Sequence, residues 1–268
     1  MQRSDVAVLI PAYRPDARLC ELIEALKALG FARIVAVDDG SGASCADFFA
    51  RARALGATVL THEVNRGKGA ALKTGFENIG ARPVVTCDAD GQHTPQDVLA
   101  IAEALTANPG ALILGCRDKR RMPLKSKLGN NLTCFFLGLL TGLWISDTQT
   151  GLRGIPACAM AAFSELEGDR YEYETNMLLK ARRMRLPVKE VVIETVYFDN
   201  NAESHFKPLQ DGWRIYRLLF KQMALYLGSS SVAGLVDILA FTALHYLLPE
   251  EMGLHASGFW AFLLPASV

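Results

Sequence analysis

The chain carries no excess of charge of either sign: Lys+Arg and Asp+Glu each number 28 in 268 residues. A protein that wraps nucleic acid over its surface shows a basic surplus, so nucleic acid is not an expected partner. The six cysteines, Cys20, Cys45, Cys87, Cys116, Cys134 and Cys158, include no C-x-x-C pair, which removes a zinc framework. Several sit in apolar runs, where Cys acts as a small hydrophobe, and a reducing compartment is the simpler expectation. No G-x-G-x-x-G follows the first apolar run; the residues there are Pro11-Ala12-Tyr13-Arg14-Pro15. No Ser or Thr follows Gly67-Lys68, where Gly69 stands instead. NAD-dehydrogenase and P-loop ATPase readings therefore fall away. There is no internal repeat and no low-complexity tract. The polar start, Met1 to Asp5, runs directly into a strand pattern, so no signal peptide is expected.

What is present is a core-forming composition, 50% apolar and 21% charged, which excludes a disordered chain. Short apolar runs alternate with helical patterns. Strands are expected at 6–10, 34–37, 58–61, 83–87 and 112–116, and helices at 17–29, 46–55 and 69–78. Thr94 caps a further helix whose first turn holds Pro95 and Asp97. This rhythm predicts an α/β fold with a mostly parallel, Rossmann-like sheet flanked by helices.

After Arg117 the pattern changes. Residues 117–127 hold six basic groups and one acid, and 128–144 follow with a broad apolar face. A surface-lying helix at about 124–144 would set its apolar side into the lipid interface, its basic side meeting anionic headgroups. A late strand is expected at 188–196, and an amphipathic helix at 211–221. Residues 223–248 are mainly apolar, with Asp237 the sole Asp, Glu, Lys or Arg. A helix needs about 20 residues to cross hydrocarbon, so this one is long enough. Arg214, Arg217 and Lys221 precede it, which sets the N-terminal domain on the cytoplasmic face. The expected division is 1–210 for a catalytic domain and 211–268 for a juxtamembrane helix and the start of a membrane domain. Asp237 within the span is a functional candidate.

In open α/β sheets, ligands bind beyond the carboxyl ends of the strands. Pro11-Ala12-Tyr13, Asp38-Asp39 and Asp88-Ala89-Asp90 all lie at such ends. Asp88-x-Asp90 after an apolar strand suits a hard divalent cation: two carboxylates neutralise Mg²⁺ or Mn²⁺, ligand phosphates complete the octahedron, and Gln92 adds a carbonyl oxygen. Lys68 sits in a Gly-rich turn that opens a helix, a place that suits a phosphate.

On these residues the chain resembles glycosyltransferase family 2, of GT-A fold, and within it the dolichyl-phosphate mannosyltransferase and polyprenyl-phosphate glycosyltransferase branch. The matching pieces are LIPAYRP (9–15), VDDGS (37–41), NRGKGAALKTGF (65–76), DADGQH (88–93), GCR (115–117) and SDTQTGLRGI (146–155). The tail from about 220 resembles the start of a GtrA-like membrane domain. The resemblance implies that Pro11, Ala12, Tyr13, Val37, Asp39, Lys68, Asp88, Ala89 and Asp90 line a nucleotide diphosphate sugar, UDP- or GDP-linked. Asp88, Asp90 and Gln92 would hold the metal. Asp90, Arg117 and Glu174 would be catalytic, Arg117 beside the phosphates and Glu174 near the sugar or acceptor. Lys125, Lys127 and Ser204 would meet the acceptor phosphate, Ser204 within a loop (204–207) over the site. Many relatives carry arginines where Lys125 and Lys127 stand, and lysine cannot grip a phosphate bidentately.

The implied reaction is an in-line displacement with inversion, moving sugar to a polyprenyl phosphate. Such an acceptor is already an anion and needs no strong base, which suits a chain without an evident Ser-His or Cys-His arrangement. Two alternatives share the motifs: a family 2 transferase with a saccharide or protein acceptor, and a non-catalytic nucleotide-sugar-binding membrane subunit. Self-association into a homo-oligomer is left open.

Overall fold

The computed structural model describes residues 5–118, 120, 122, 124–196 and 208–247. A compact unit extends through Leu219, and a second begins at Phe220; the boundary expected at 210/211 falls inside the helix that enters both.

The first unit is a seven-stranded sheet in the order β3-β2-β1-β4-β6-β5-β7. Its strands are β1 (Ala7–Ala12), β2 (Arg33–Asp38), β3 (Thr58–Thr61), β4 (Val84–Thr86), β5 (Leu112–Arg117), β6 (Arg153–Ile155) and β7 (Val188–Ile193). All pairings are parallel except those of β6, which runs antiparallel to both β4 and β5. β6 is the strand the hydropathy pattern misses: three residues, all buried, one of them an arginine, give no periodicity to read. The strand expected to reach 196 ends at Ile193, with Thr195 continuing only as a single bridge to His93.

Helices cover both faces because successive strand residues point to opposite sides. Val6, Val8, Ile10 and Ala12 join the core under α1 (Ala17–Ala28), α2 (Ala46–Ala54) and α4 (Pro95–Ala107). Ala7 and Leu9 join the other core, under α3 (Lys68–Ile79), α5 (Leu124–Thr141), α6 (Ala157–Ser164) and α7 (Glu172–Arg183). A Cβ at Gly75 would overlap the Leu9 side chain, so the glycine is what lets α3 press onto β1. Thr94 and Asp97 form a reciprocal capping box at the start of α4. Asp97 Oδ1 also accepts from the Glu194 amide at 2.8 Å, so one side chain starts α4 and anchors the exit of β7.

The amphipathic helix and the apolar run expected as separate pieces form one helix, α8 (Pro208–Leu247). No Pro interrupts it after Pro208. Leu219 is buried in the core of the first unit, with Tyr216 and Leu218 packed beside it. Within the second unit, Leu225, Tyr226, Leu227, Val232, Leu235, Val236, Ile238 and Leu239 are all exposed. Among the described residues, Gly212–Ala243 is the one stretch long and apolar enough to cross a membrane.

Candidate active site

The chain runs from β1 outward to β2 and β3, then returns to the other side of β1 at β4. The carboxyl ends of β1 and β4 therefore flank the topological switch point, where open α/β sheets form their ligand crevice. Ala12 and Tyr13 leave β1 there, and Asp88-Ala89-Asp90 leaves β4. The loops after β1 and β2 are joined: the Arg14 amide donates to Ser41 Oγ at 2.8 Å, and the Asp39 amide to the Ala12 carbonyl at 2.8 Å. The Arg14 guanidinium stacks 5.2 Å from the Tyr13 ring centroid. Pro11 and Val37 are buried in the strands beneath.

Asp39 is buried and both its oxygens are occupied by the protein. Oδ1 meets His62 Nδ1 at 2.8 Å and accepts from the Arg66 amide at 2.9 Å; Oδ2 accepts from the Gly67 amide at 2.8 Å. His62 Nε2 in turn meets Thr74 Oγ1 at 3.0 Å. The carboxylate thus braces the turn that leads into α3. Gly67 takes φ 102° in that turn, a left-handed conformation that other residues avoid. The turn is closed by the segment before α7, since the Ala70 amide donates to the Asp169 carbonyl at 3.1 Å.

The brace aims Lys68 at acids. Its Nζ lies 2.7 Å from Asp88 Oδ1 and 3.1 Å from Glu174 Oε1, and 5.8 Å from the Tyr171 ring centroid. Burial alone would lower the Lys68 pKa, but Asp88 and Glu174 together raise it, so the ammonium is held charged. Burial would raise the Asp88 pKa, and Lys68 followed by His93 draws it below the ordinary value. Asp90 is raised, by burial first and then by the neighbouring Asp88 charge. Its Oδ1 accepts from the Gln92 amide at 3.0 Å. His93 Nδ1 accepts from the Asp88 amide at 3.1 Å, fixing the loop from its far end. Burial pushes the Cys87 thiol up beside Asp88 and Asp90, which makes it a core residue rather than a nucleophile.

Glu174 is positioned by a residue to which the sequence reading assigned no role. Arg153, on β6 and 1% exposed, sends Nη1 to the Glu174 carbonyl at 2.6 Å, Nε to the Thr150 carbonyl at 2.9 Å and Nη2 to the Thr148 carbonyl at 3.0 Å. Its guanidinium is drawn down by burial, against the opposing pull of Glu174, Asp147 and Asp88. Arg117 is also committed to the protein: Nε lies 2.6 Å from Asp147 Oδ2 and Nη2 2.9 Å from Oδ1, a bidentate pair with Asp147 buried. The 146–151 loop that carries Asp147 is tied to α5 by Asn130, whose Oδ1 accepts from the Thr148 amide at 3.0 Å and whose Nδ2 donates to the Ser146 carbonyl at 3.0 Å. Asp147 and Arg153 stood inside the motif SDTQTGLRGI and His93 inside DADGQH, but a motif match does not say which member is buried and paired.

The sequence candidates therefore divide. Lys68, Asp88 and Glu174 converge within ion-pair distance, with Asp90 in the electrostatic reach of Asp88. Asp39 and Arg117 brace neighbouring loops. Lys127 is half-buried on α5, the Lys125 side chain lies outside the described part of that helix, and Ser204 lies outside the described residues. Among the described residues, no group of three or more His, Cys, Asp or Glu side chains is placed to hold a metal ion. Asp88 and Asp90 supply two carboxylates; burial first and the Asp88 charge second raise the Asp90 pKa, and a bound cation would offset both. That donor set fits a hard divalent ion taking its remaining ligands from phosphate and water.

Residues 7–165 match glycosyl transferase family 2. The chain is 29% identical over 242 residues to a UDP-N-acetylglucosamine–dolichyl-phosphate N-acetylglucosaminyltransferase of Methanococcus voltae, covering 81% of this chain and 96% of that one. It is 38% identical over 157 residues to an undecaprenyl-phosphate 4-deoxy-4-formamido-L-arabinose transferase of Pseudomonas paraeruginosa, covering 55% and 46%. The fold is shared with glucosyl-3-phosphoglycerate synthase from Mycobacterium tuberculosis, solved with Mn²⁺, UDP and glucosyl-3-phosphoglycerate, at a TM-score of 0.64 and 19% identity over 82% of this chain and 80% of that one. With the GT-A sheet order, the acidic loop at its switch point and a family match over more than half its length, the chain belongs to glycosyl transferase family 2.

Proposed function

We propose that the protein is a membrane-anchored transferase that moves a sugar from a nucleotide diphosphate sugar to a polyprenyl phosphate, with inversion at the anomeric carbon. The observation that carries this reading is the Asp88-x-Asp90 loop at the carboxyl edge of the sheet, with Lys68 and Glu174 converged on it. The similarity to transferases named for dolichyl and undecaprenyl phosphate supports the acceptor class.

Asp88, Asp90 and Gln92 would hold Mg²⁺ or Mn²⁺, which when bound supplies positive charge against the departing diphosphate. Tyr13 and the loop braced by Asp39 would seat the base and ribose. Lys68, held charged, adds a cation beside the diphosphate. Glu174, fixed through its own carbonyl by Arg153, would orient a sugar hydroxyl. Arg117, clamped to Asp147, would shape the phosphate side of the crevice through the loop it holds. Lys127, Lys125 and Ser204 would receive the acceptor phosphate.

The acceptor's headgroup stays at the bilayer surface, so the crevice must work there. On α5, Leu128, Leu132, Phe135 and Leu139 are exposed at helical spacing, while Asn130, Thr133, Cys134 and Leu137 on the opposite side are buried. The exposed stripe would enter the interface beside the basic residues of 117–127. The apolar part of α8 would span the bilayer as the first helix of a GtrA-like domain, with Arg214, Arg217 and Lys221 on the cytoplasmic side. Incubating membranes that contain the protein with a panel of UDP- and GDP-sugars and polyprenyl phosphate should yield one glycolipid identifiable by mass. Transfer to free saccharides or peptides without any glycolipid would overturn the reading.

A further inference from the structure

Lys68 stands where an incoming cation must find a ligand. Its Nζ is 2.7 Å from Asp88 Oδ1, the carboxylate assigned above to the metal, and 3.1 Å from Glu174 Oε1. Gly151 walls this pair from the side: a Cβ there would overlap Asp88 Oδ2 and lie 2.7 Å from Lys68 Nζ. The cluster holds three carboxylates, Asp88, Asp90 and Glu174, and two fixed cations, Lys68 and Arg153. A divalent ion added with Lys68 still on Asp88 would face an ammonium at contact distance, whereas one added after Lys68 has turned to Glu174 would not. That turn needs no loop movement, because the ammonium already touches both acids.

We infer that Lys68 is an internal counter-ion that exchanges with the divalent cation: it neutralises Asp88 before metal binds, and Glu174 receives it when metal arrives. Glu174 thereby sets metal affinity without being a ligand, and acts as a positioning residue for Lys68. The inference rests on the assignment of the metal to Asp88 and Asp90.

The test is direct Mn²⁺ binding, read by electron paramagnetic resonance of free Mn²⁺, on the full-length protein in detergent, with and without UDP. Four proteins form a double-mutant cycle: wild type, Lys68→Met, Glu174→Gln and the double variant. Lys68→Met should bind Mn²⁺ at least about tenfold more tightly, since a tenfold change corresponds to only about 1.4 kcal/mol. Glu174→Gln should weaken binding, by about threefold or more, because Lys68 then has Asp88 alone. In the Lys68→Met background the same Glu174→Gln change should have little effect. If Glu174→Gln weakens binding equally in both backgrounds, Glu174 acts as a plain nearby charge and the exchange is overturned. Unchanged or weaker binding in Lys68→Met overturns it as well. If Lys68→Met does not fold, Lys68→Arg serves, since a bidentate guanidinium should hold Asp88 harder and weaken Mn²⁺ binding; tighter binding would overturn the inference. Loss of all Mn²⁺ binding with UDP present, in wild type and variants alike, removes the metal assignment and the exchange with it. Binding that persists in Asp90→Ala separates failure of that assignment from failure of the exchange.

Discussion

The two units break the usual rule of burial in opposite directions. The first hides charged groups: Arg153, Asp147 and Glu174 are each at most 5% exposed. The second shows water a run of large apolar side chains, Leu225 to Leu239, with none of its most apolar window buried. In water, neither arrangement would be chosen for stability alone. Burying ions costs several kcal/mol each unless they are paired, and an uncovered apolar surface of this extent marks an interaction site. The contrast separates two ways of handling an unfavourable group: in the first unit each buried ion has protein partners, Arg153 on three backbone carbonyls and Asp147 on Arg117, whereas the apolar side chains of the second unit are left uncovered.

Breaking the buried side of the contrast should have the largest effect. Arg153→Met leaves three backbone carbonyls and the acids around them without their donor, and should destabilise the first unit by about 3–5 kcal/mol, measured by thermal or denaturant unfolding of residues 1–219. Asp90→Ala should keep the fold, because the side chain lies in a loop beyond β4, yet lower metal-dependent transfer by about 100-fold or more. Near-wild-type turnover with Mg²⁺ or Mn²⁺ would remove Asp90 from the site.

The exposed side is tested by truncation. A chain ending at Leu219 retains the part of α8 that packs on the core and should still bind nucleotide sugar in a calorimetric titration. If the tail is an anchor, transfer to long-chain polyprenyl phosphate in vesicles should fall at least about tenfold more than transfer to a short, water-soluble prenyl phosphate, because an anchor would raise effective concentration for the former only. Equal losses would make the tail structural rather than an anchor. The smallest effect on stability is expected on α5. Changing Leu128, Phe135 and Leu139 together to Ser should shift unfolding by no more than about 0.5 kcal/mol per residue. Binding of the 1–219 chain to anionic vesicles should nevertheless drop in a flotation assay; unaltered flotation would show that the stripe does not enter the interface.

The acidic loop, the Gly-rich turn and most of the strands could be read from the residues, because each has a local signature; their order in the sheet could not. Asp88-x-Asp90 follows an apolar strand, Lys68 lies between two glycines, and the first five strands carry apolar runs. β6 could not be read that way, since its middle position in the sheet comes from antiparallel pairing with strands distant in sequence. Nor could the interruption expected within α8 be judged locally: change in polarity at about 221 marks a change of environment, while the backbone hydrogen bonding of the helix continues through it.

By itself the sequence determined the family, the α/β alternation, the position of the carboxylates at a strand end and the presence of one segment apolar enough to span a bilayer. These depend on side-chain type and short-range spacing. The tertiary structure alone decided that Lys68 faces Asp88 and Glu174, that Arg117 is taken by Asp147 and Asp39 by the turn before α3, and that Arg153 supports Glu174 from within the sheet. The partners in those pairs lie 20 to 106 residues apart along the chain (Lys68 to Asp88, and Lys68 to Glu174, at the extremes). Nothing local selects among so many possible charge partners; the choice falls to the packing of strands and helices, which excludes water and leaves each buried charge the few groups within reach.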